Sequence, residues 1–233
     1  MAIPPTTEEA FLREVDDGLR QDQLTSVWKR YGRWIIAAVI VGLALFGAAL
    51  WWQNDQLEKA GVDGEKLDKV LQATNDGSYA SSVADLAALK SSKSDGYRAS
   101  SQLTAAAIAL EKKDLKEAAK LYGAVATDET LAQPWRDLAL VRQVATSFDT
   151  MKPEEVIARL KPLAIKGNPW FGSAGEMVAI AYMKLGKNDL AGKMFGDMSK
   201  DEQVPESIRS RAIKMAGVLG VDVVDMNNKG ESK

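Results

Sequence analysis

The sequence predicts an all-α protein with a single N-terminal transmembrane helix followed by a domain of helical repeats. Three observations lead to this prediction. A long run without charge lies near the N-terminus, and the residues after it are dominated by Ala, Leu, Lys and Glu with no alternating strand pattern of any length. Similar helical pairs also recur at intervals of 38 and 35 residues, which is typical of a stacked repeat array.

The transmembrane helix is predicted at residues 34–52, which read WIIAAVIVGLALFGAALWW. A helix of this length rises about 28 Å, close to the thickness of a bilayer's hydrocarbon core. Trp34 at one end, with Trp51 and Trp52 at the other, would place amphipathic rings at both headgroup levels. A buried helix of a soluble protein is the alternative, but such helices rarely stay apolar on every face for five turns.

The flanks of this run predict its orientation. Lys29, Arg30 and Arg33 come immediately before it, whereas Asp55 and Glu58 follow it. Because cytoplasmic flanks carry an excess of basic residues, we expect the N-terminus in the cytoplasm and everything after residue 53 outside.

A cleaved signal peptide is the rival interpretation of the same run. Residues 47–49 are small, as a signal peptidase requires. The thirty-three-residue leader is long for a charged n-region, however, and the apolar run is at or beyond the upper limit for an h-region. We therefore expect an uncleaved anchor.

Composition removes most enzyme classes. The 233 residues include no histidine and no cysteine, so the usual zinc sites, a Ser-His-Asp triad and an imidazole acid or base are unavailable. No glycine-rich phosphate loop or nucleophile elbow is present, although carboxylate pairs and Ser-Lys dyads stay formally possible. The net charge of -2 gives no reason to expect nucleic acid as a partner. We predict no catalytic residue, cofactor or metal.

Pattern and composition divide the chain into five segments. A stretch beyond the span either continues the anchor helix or hinges at Gly61 and Gly64. The predicted boundaries are 1–33 for a cytoplasmic amphipathic leader helix, 34–52 for the transmembrane helix, 53–74 for a juxtamembrane helix or linker, 75–224 for a periplasmic repeat domain and 225–233 for a disordered tail.

The repeat domain shows a recurring pair of residues in its second helices. A small or β-branched residue is followed four positions later by a large one, at Ala118 and Tyr122, Val156 and Leu160, and Ala191 and Phe195. This spacing and the interval between pairs resemble tetratricopeptide repeats of 34 residues. The small residue would let two helices approach closely while the large one fills the groove toward the next hairpin. An ordinary irregular α-bundle is the alternative.

Prolines and one asparagine predict helix starts. Asn168 is expected to cap a helix that has Pro169 in its first turn, Pro153 precedes two glutamates, and Pro205 begins a closing helix that ends near Leu219.

The order of parts also resembles a known family. A leader with EVDDGLR at residues 14–20 and WKRYGR at residues 28–33, one uncleaved span and an outer tetratricopeptide-like domain resemble the YfgM-like ancillary subunits of the bacterial Sec translocon. The resemblance implies a single-pass bacterial inner-membrane protein whose periplasmic repeats lie beside the SecYEG channel. It also implies partnership with a membrane-anchored prolyl-isomerase-like chaperone and assistance to newly translocated, unfolded client proteins.

The repeat frame suggests a groove for such a client. The groove-facing positions of the first helices are mostly apolar, and an apolar groove suits an extended or amphipathic peptide. In the alternative, the array curls tightly and the same residues belong to the core. These positions are Leu103, Ala107, Leu110, Leu138, Val141, Ala145, Phe148, Ile180 and Met183.

Three classes of function follow from the sequence. The favoured class is a non-enzymatic interaction subunit of a secretion or chaperone complex. The second is an envelope scaffold or regulator, for cell division or stress signalling, that acts through its repeats or its cytoplasmic helix. The third, an enzyme, is disfavoured because no site chemistry is evident.

Overall fold

A computed structural model describes the backbone of residues 7–221 and the side chains of residues 29–221. No β-strand occurs between residues 7 and 221, and the predicted all-α fold class is confirmed. The predicted tail at 225–233 lies outside the described residues, and so do the side chains on which the amphipathic character of the leader depends.

The helices follow one another through connections of three to ten residues, the longest lying between Leu160 and Phe171. Within residues 7–221, one 3-10 turn, Tyr79–Ser82, lies between the first and second helices. The α-helices are α1 (Thr7–Asn75), α2 (Val83–Lys90), α3 (Asp95–Glu111), α4 (Leu115–Ala126), α5 (Gln133–Ser147), α6 (Pro153–Leu160), α7 (Phe171–Lys184), α8 (Asn188–Ser199) and α9 (Glu206–Val218).

The chain divides into two compact units, residues 1–60 and residues 61–233. In the first, the described residues belong to α1. In the second, α3 packs on α4, α5 on α6 and α7 on α8. The first helices of neighbouring pairs are also in contact, because α3 touches α5, α5 touches α7 and α7 touches α9. Stacked helical hairpins of this kind form a repeat domain.

The recurring residue pairs occupy the core of the repeat domain. Ala118, Val156 and Ala191 are at most 1% exposed, and their partners Tyr122, Leu160 and Phe195 are at most 4% exposed. Three apolar clusters divide this core, the first between α3, α4 and α5, the second between α5, α6 and α7, and the third between α7, α8 and α9. Each hairpin thus buries its apolar face against the next one.

The turns of the first and third hairpins are equivalent. In the α3–α4 turn, Asp114 donates its backbone N–H to the carbonyl of Ala109 at 2.9 Å, and in the α7–α8 turn Lys187 donates to Tyr182 at 2.9 Å. The residue before each donor has a left-handed backbone, with φ of 61° at Lys113 and 69° at Gly186. Both turns therefore have the same backbone conformation, although their sequences differ. The short α5–α6 connection instead leads directly into a proline at the first position of α6.

Helix starts agree with the sequence at two prolines and differ at Asn168. Pro153 is the first residue of α6, and Pro205 lies immediately before α9. The prediction that Asn168 caps a helix with Pro169 in its first turn is wrong, because α7 begins only at Phe171. The Asn168 side chain instead accepts a hydrogen bond from the Trp170 N–H at 2.8 Å, which closes a local turn before the helix.

The closing helix ends in a reverse turn that packs on α8. Gly220 has a φ of 78°, and the N–H of Val221 donates to the carbonyl of Ala216 at 2.9 Å. This is the hydrogen bond of a Schellman C-cap. The Val221 side chain fits against Gly192 and Gly196 of α8, where an added Cβ would lie only 2.8 Å from it at Gly192. The two glycines thus allow the chain end to approach closely.

Candidate interaction surfaces

The apolar run in α1 is an exposed surface. Trp34 is 77% exposed and Trp51 is 73% exposed, and none of the most apolar 18-residue window is buried. By length and composition, α1 is able to cross a membrane. The two tryptophans are separated by about 26 Å along the helix axis, which matches the distance between two headgroup levels.

Charges at the two ends of this run differ in their pairing. Lys29, Arg30 and Arg33 are exposed. At the other end, the Lys59 ammonium lies 2.6 Å from the Asp55 carboxylate. The second flank therefore has one cation that is paired with a carboxylate, whereas the first has three cations in five residues.

The predicted groove residues lie on the first helix of each hairpin. Leu103, Ala107 and Leu110 are on α3, and Leu138, Val141 and Ala145 are on α5. Phe148 follows α5 directly, and Ile180 with Met183 is on α7.

The structure distributes several of these residues over the three apolar clusters. Leu103 packs against the first cluster, Phe148 packs against the second, and Ile180 and Met183 pack against the third. Val141 is itself a member of the second cluster and is only 6% exposed, so it offers almost no surface to a ligand. The others remain half-buried, apart from the exposed Ala145.

Phe148 is the groove residue with the most specific contact. The Lys184 Nζ lies 4.5 Å from the centroid of its ring, a distance typical of a cation–π interaction. The contact joins the C-terminal ends of α5 and α7, so that the Phe148 side chain meets both the second apolar cluster and a cation. An aromatic ring with a cation at its side is suited to a peptide that carries both apolar and acidic groups.

Two polar links between helices were not predicted from the sequence. Arg159 of α6 donates to the Gln143 side chain of α5 at 2.6 Å, and the Gln143 amide leaves no room for a Cβ at Gly123 of α4. Arg211 of α9 pairs with Glu176 of α7 at 2.7 Å. Among the residues of these links, only Arg159 has a partner that the sequence suggests: Glu155, which is four positions earlier on the same helix face. That spacing predicts a pair within α6 and gives no indication of a contact between helices.

Electrostatic perturbations in the repeat domain are local. Burial raises the pKa of the Tyr122 hydroxyl, and the nearby Arg142 opposes that increase. Hydrogen bonds from the Thr130 hydroxyl and N–H hold the pKa of Asp128 below its usual value. Within residues 29–221, no three acidic side chains form a group able to hold a metal ion.

A shallow depression forms where the 3-10 turn meets the end of α3. Gly77, Ser78, Tyr79, Ala80, Ser81 and Lys112 line it. The Lys112 Nζ lies 5.4 Å from the centroid of the Tyr79 ring, so the cation at its edge already has an aromatic partner.

Comparison with protein families assigns the fold to a known class. The profile of the tetratricopeptide repeat-like domain family matches residues 26–215. The chain belongs to this family. Comparison with curated proteins and with solved structures gives no significant match. The tetratricopeptide repeat-like match includes the apolar run as well as the repeats, and domains of this class serve in protein–protein interaction.

Proposed function

We propose that this tetratricopeptide repeat-like protein is a non-enzymatic, membrane-anchored interaction subunit of the Sec translocon in a bacterial inner membrane. Its N-terminus lies in the cytoplasm, and its repeats lie in the periplasm, where they contact a prolyl-isomerase-like chaperone and newly translocated proteins. The observation that carries the proposal is the single family match from residue 26 to residue 215, which joins an exposed apolar helix to a repeat domain.

The exposure of the apolar run supports an anchor. Leu43, Leu45 and Phe46 are each more than 60% exposed, although they point in different directions around the helix. Soluble proteins rarely expose an apolar surface of this extent to water. A bilayer removes that cost, because hydrocarbon surrounds every face of a spanning helix.

The distribution of basic residues around the span supports the cytoplasmic N-terminus. Lys29, Arg30 and Arg33 lie within the five residues before it, whereas the first basic residue after it, Lys59, lies seven positions beyond Trp52. The flank with more lysine and arginine close to the span stays in the cytoplasm.

The role in translocation is supported by the resemblance of the leader motifs to YfgM-like subunits and by the surface around Phe148. The ring is half-buried and lies beside Lys184. A surface of this kind, outside the membrane but tethered to it, would meet segments that emerge from the channel.

The orientation can be tested with single cysteines, because the natural chain has none. We expect Ser210→Cys in α9 to react with a membrane-impermeant maleimide in intact spheroplasts, and Gln23→Cys in the leader to react only after permeabilisation. The reverse pattern would overturn the orientation. A mature chain that lacks its first fifty or so residues by mass spectrometry would overturn the anchor in favour of a cleaved signal peptide.

The partners can be tested by photocrosslinking in the membrane. A photoreactive residue at Leu45 is expected to capture a translocon subunit, and one at Phe148 is expected to capture the chaperone or a client. Leu43 is the matched control in the span, since it is equally exposed but faces about 200° away. Leu115 is the control in the repeats, because it is exposed on α4 and not on a first helix.

The captured proteins distinguish the two interaction functions. Reproducible capture of division or signalling proteins, with no translocon subunit at Leu45, would contradict the role in translocation and favour an envelope scaffold or regulator. Equal capture at Leu43 and Leu45 would mean that the span makes no specific contact.

A further inference from the structure

The turn of α1 before the apolar run carries a compact cationic face. Successive residues of an α-helix are rotated by about 100°, so Lys29, Arg33 and Arg30 lie within an arc of about 100° on one side of the helix. All three side chains are exposed. Arg33 is followed directly by Trp34, where the apolar run begins.

These cations have no carboxylate within reach along the helix. Ion pairs on a helix form between residues three or four apart, and no acidic residue occupies such a position relative to Lys29, Arg30 or Arg33. The nearest acidic residues in sequence are Asp22 and Asp55. Lys59 differs in this respect, because Asp55 is four residues away and 2.6 Å distant.

Aromatic rings fix the level of the cationic face. The Arg30 guanidinium lies 5.7 Å from the centroid of the Tyr31 ring, and Trp34 is four residues after Arg30 and 77% exposed. Tryptophan in this position prefers the boundary between headgroups and hydrocarbon. The three cations therefore lie within about one and a half turns of that boundary, at the level of the lipid phosphates.

We propose that Lys29, Arg30 and Arg33 form a site for the phosphate headgroups of anionic phospholipids in the leaflet that faces the N-terminus. The inference rests on the proposed anchor and names a partner for it. A guanidinium binds phosphate through two hydrogen bonds and a lysine ammonium binds it as a point charge. Two arginines and a lysine on one face offer both modes to one or two headgroups, while the apolar run beside them holds the acyl chains.

Quenching of Trp34 by brominated lipids tests the site in the full chain. Substituting Trp28, Trp51 and Trp52 by Phe leaves Trp34 as the only tryptophan in or beside the span, since Trp135 and Trp170 belong to the repeat domain. This chain is reconstituted in vesicles that contain brominated phosphatidylglycerol or brominated phosphatidylcholine. At low salt, we expect phosphatidylglycerol to occupy sites next to Trp34 about fivefold more readily than phosphatidylcholine does. This preference should decrease as salt is added.

Charge variants separate the site from the anchor. The triple variant Lys29→Gln, Arg30→Gln, Arg33→Gln is expected to make the two lipids quench Trp34 equally. Lys59→Gln should leave the preference for phosphatidylglycerol unchanged, because Lys59 lies beyond the other end of the apolar run, about 38 Å from Trp34 along the helix. Equal quenching by both lipids in the parent chain would overturn the headgroup site while the anchor stands. A preference that survives in the triple variant would also overturn it, and quenching by neither lipid would overturn the anchor itself.

Discussion

Arg211 of α9 donates two hydrogen bonds to the carboxylate of Glu176 of α7, from Nε to Oε1 at 2.7 Å and from Nη2 to Oε2 at 2.8 Å. This pairing raises the pKa of Arg211 and joins two helices through residues that are 35 positions apart in sequence. The Arg211 side chain remains 54% exposed, so solvent screens much of the attraction.

We expect the pair to contribute about 0.5–1 kcal/mol to the free energy of unfolding. A double-mutant cycle with Arg211→Ala and Glu176→Ala, measured by urea unfolding of the full chain in detergent, gives this coupling energy. It should decrease in 0.5 M salt. A coupling energy of zero at low salt would show that α9 is held on α7 by its apolar contacts alone.

Gly123 faces the side chain of Gln143 across the α4–α5 interface. A Cβ at Gly123 would overlap the Gln143 amide, and that amide is held in place by the 2.6 Å hydrogen bond from Arg159. We expect Gly123→Ala to destabilise the domain by about 1–2 kcal/mol, because the overlap outweighs the better helix propensity of alanine.

Two further variants check this explanation. Gly217→Ala in α9 meets no atom within 4 Å, so it should be neutral or stabilising by up to about 1 kcal/mol. Gln143→Ala in the Gly123→Ala background should recover most of the loss, as judged by urea unfolding. A Gly123→Ala variant as stable as the parent would contradict the packing at this interface.

The sequence predicts the helices and the core far better than the contacts between helices. Ala118 and Phe195 were predictable as core residues because helical spacing and the repeat interval both point to them. The contact between Arg211 and Glu176 was not, since no local rule relates residues on different helices. The left-handed backbone at Lys113 could not be predicted from the sequence either, because glycine is the residue type that usually marks such a turn.

The groove illustrates the same limit. The repeat frame places Val141 and Phe148 on one helix face, but their exposure depends on how closely neighbouring hairpins stack. Val141 is 6% exposed and belongs to a core cluster, whereas Phe148 is half-buried beside Lys184. Periodicity identifies the face, and the stacking decides what a partner can reach.

The Tyr122 hydroxyl gives the repeat domain a dependence on alkaline pH. Burial raises its pKa above the ordinary value of 10.0, so the folded state favours the neutral phenol more strongly than the unfolded state does. The corresponding stability is fully present below pH 10 and is lost as the pH rises from 10 through the folded-state pKa.

We therefore expect the free energy of unfolding to decrease between pH 9.5 and 11.5 and the decrease to be smaller in Tyr122→Phe. Arg142 lowers the pKa of Tyr122, so Arg142→Gln should make the alkaline decrease larger. Urea unfolding at several pH values measures both effects. An identical pH profile for the parent and Tyr122→Phe would mean that the hydroxyl is solvated in the folded protein.

The matching turns of the first and third hairpins allow each to be improved with the residue of the other. Asp114 caps α4 by accepting the Glu117 N–H at 3.0 Å, whereas Lys187 at the same place in the third hairpin makes no side-chain cap. Their backbones are alike, with φ and ψ of -86° and 75° at Asp114 and -85° and 58° at Lys187.

We expect Lys187→Asp to stabilise the domain by about 0.5–1 kcal/mol and Asp114→Ala to destabilise it by about 1 kcal/mol, since a capping carboxylate satisfies a free N–H at a helix start. Lys113→Gly should stabilise by up to about 1 kcal/mol, because Lys113 holds a φ of 61° that glycine adopts without strain. Gly186→Ala should destabilise for the same reason. Thermal and urea unfolding of the four variants gives the signs, and a destabilising Lys187→Asp would show that the two turns are not equivalent in the folded protein.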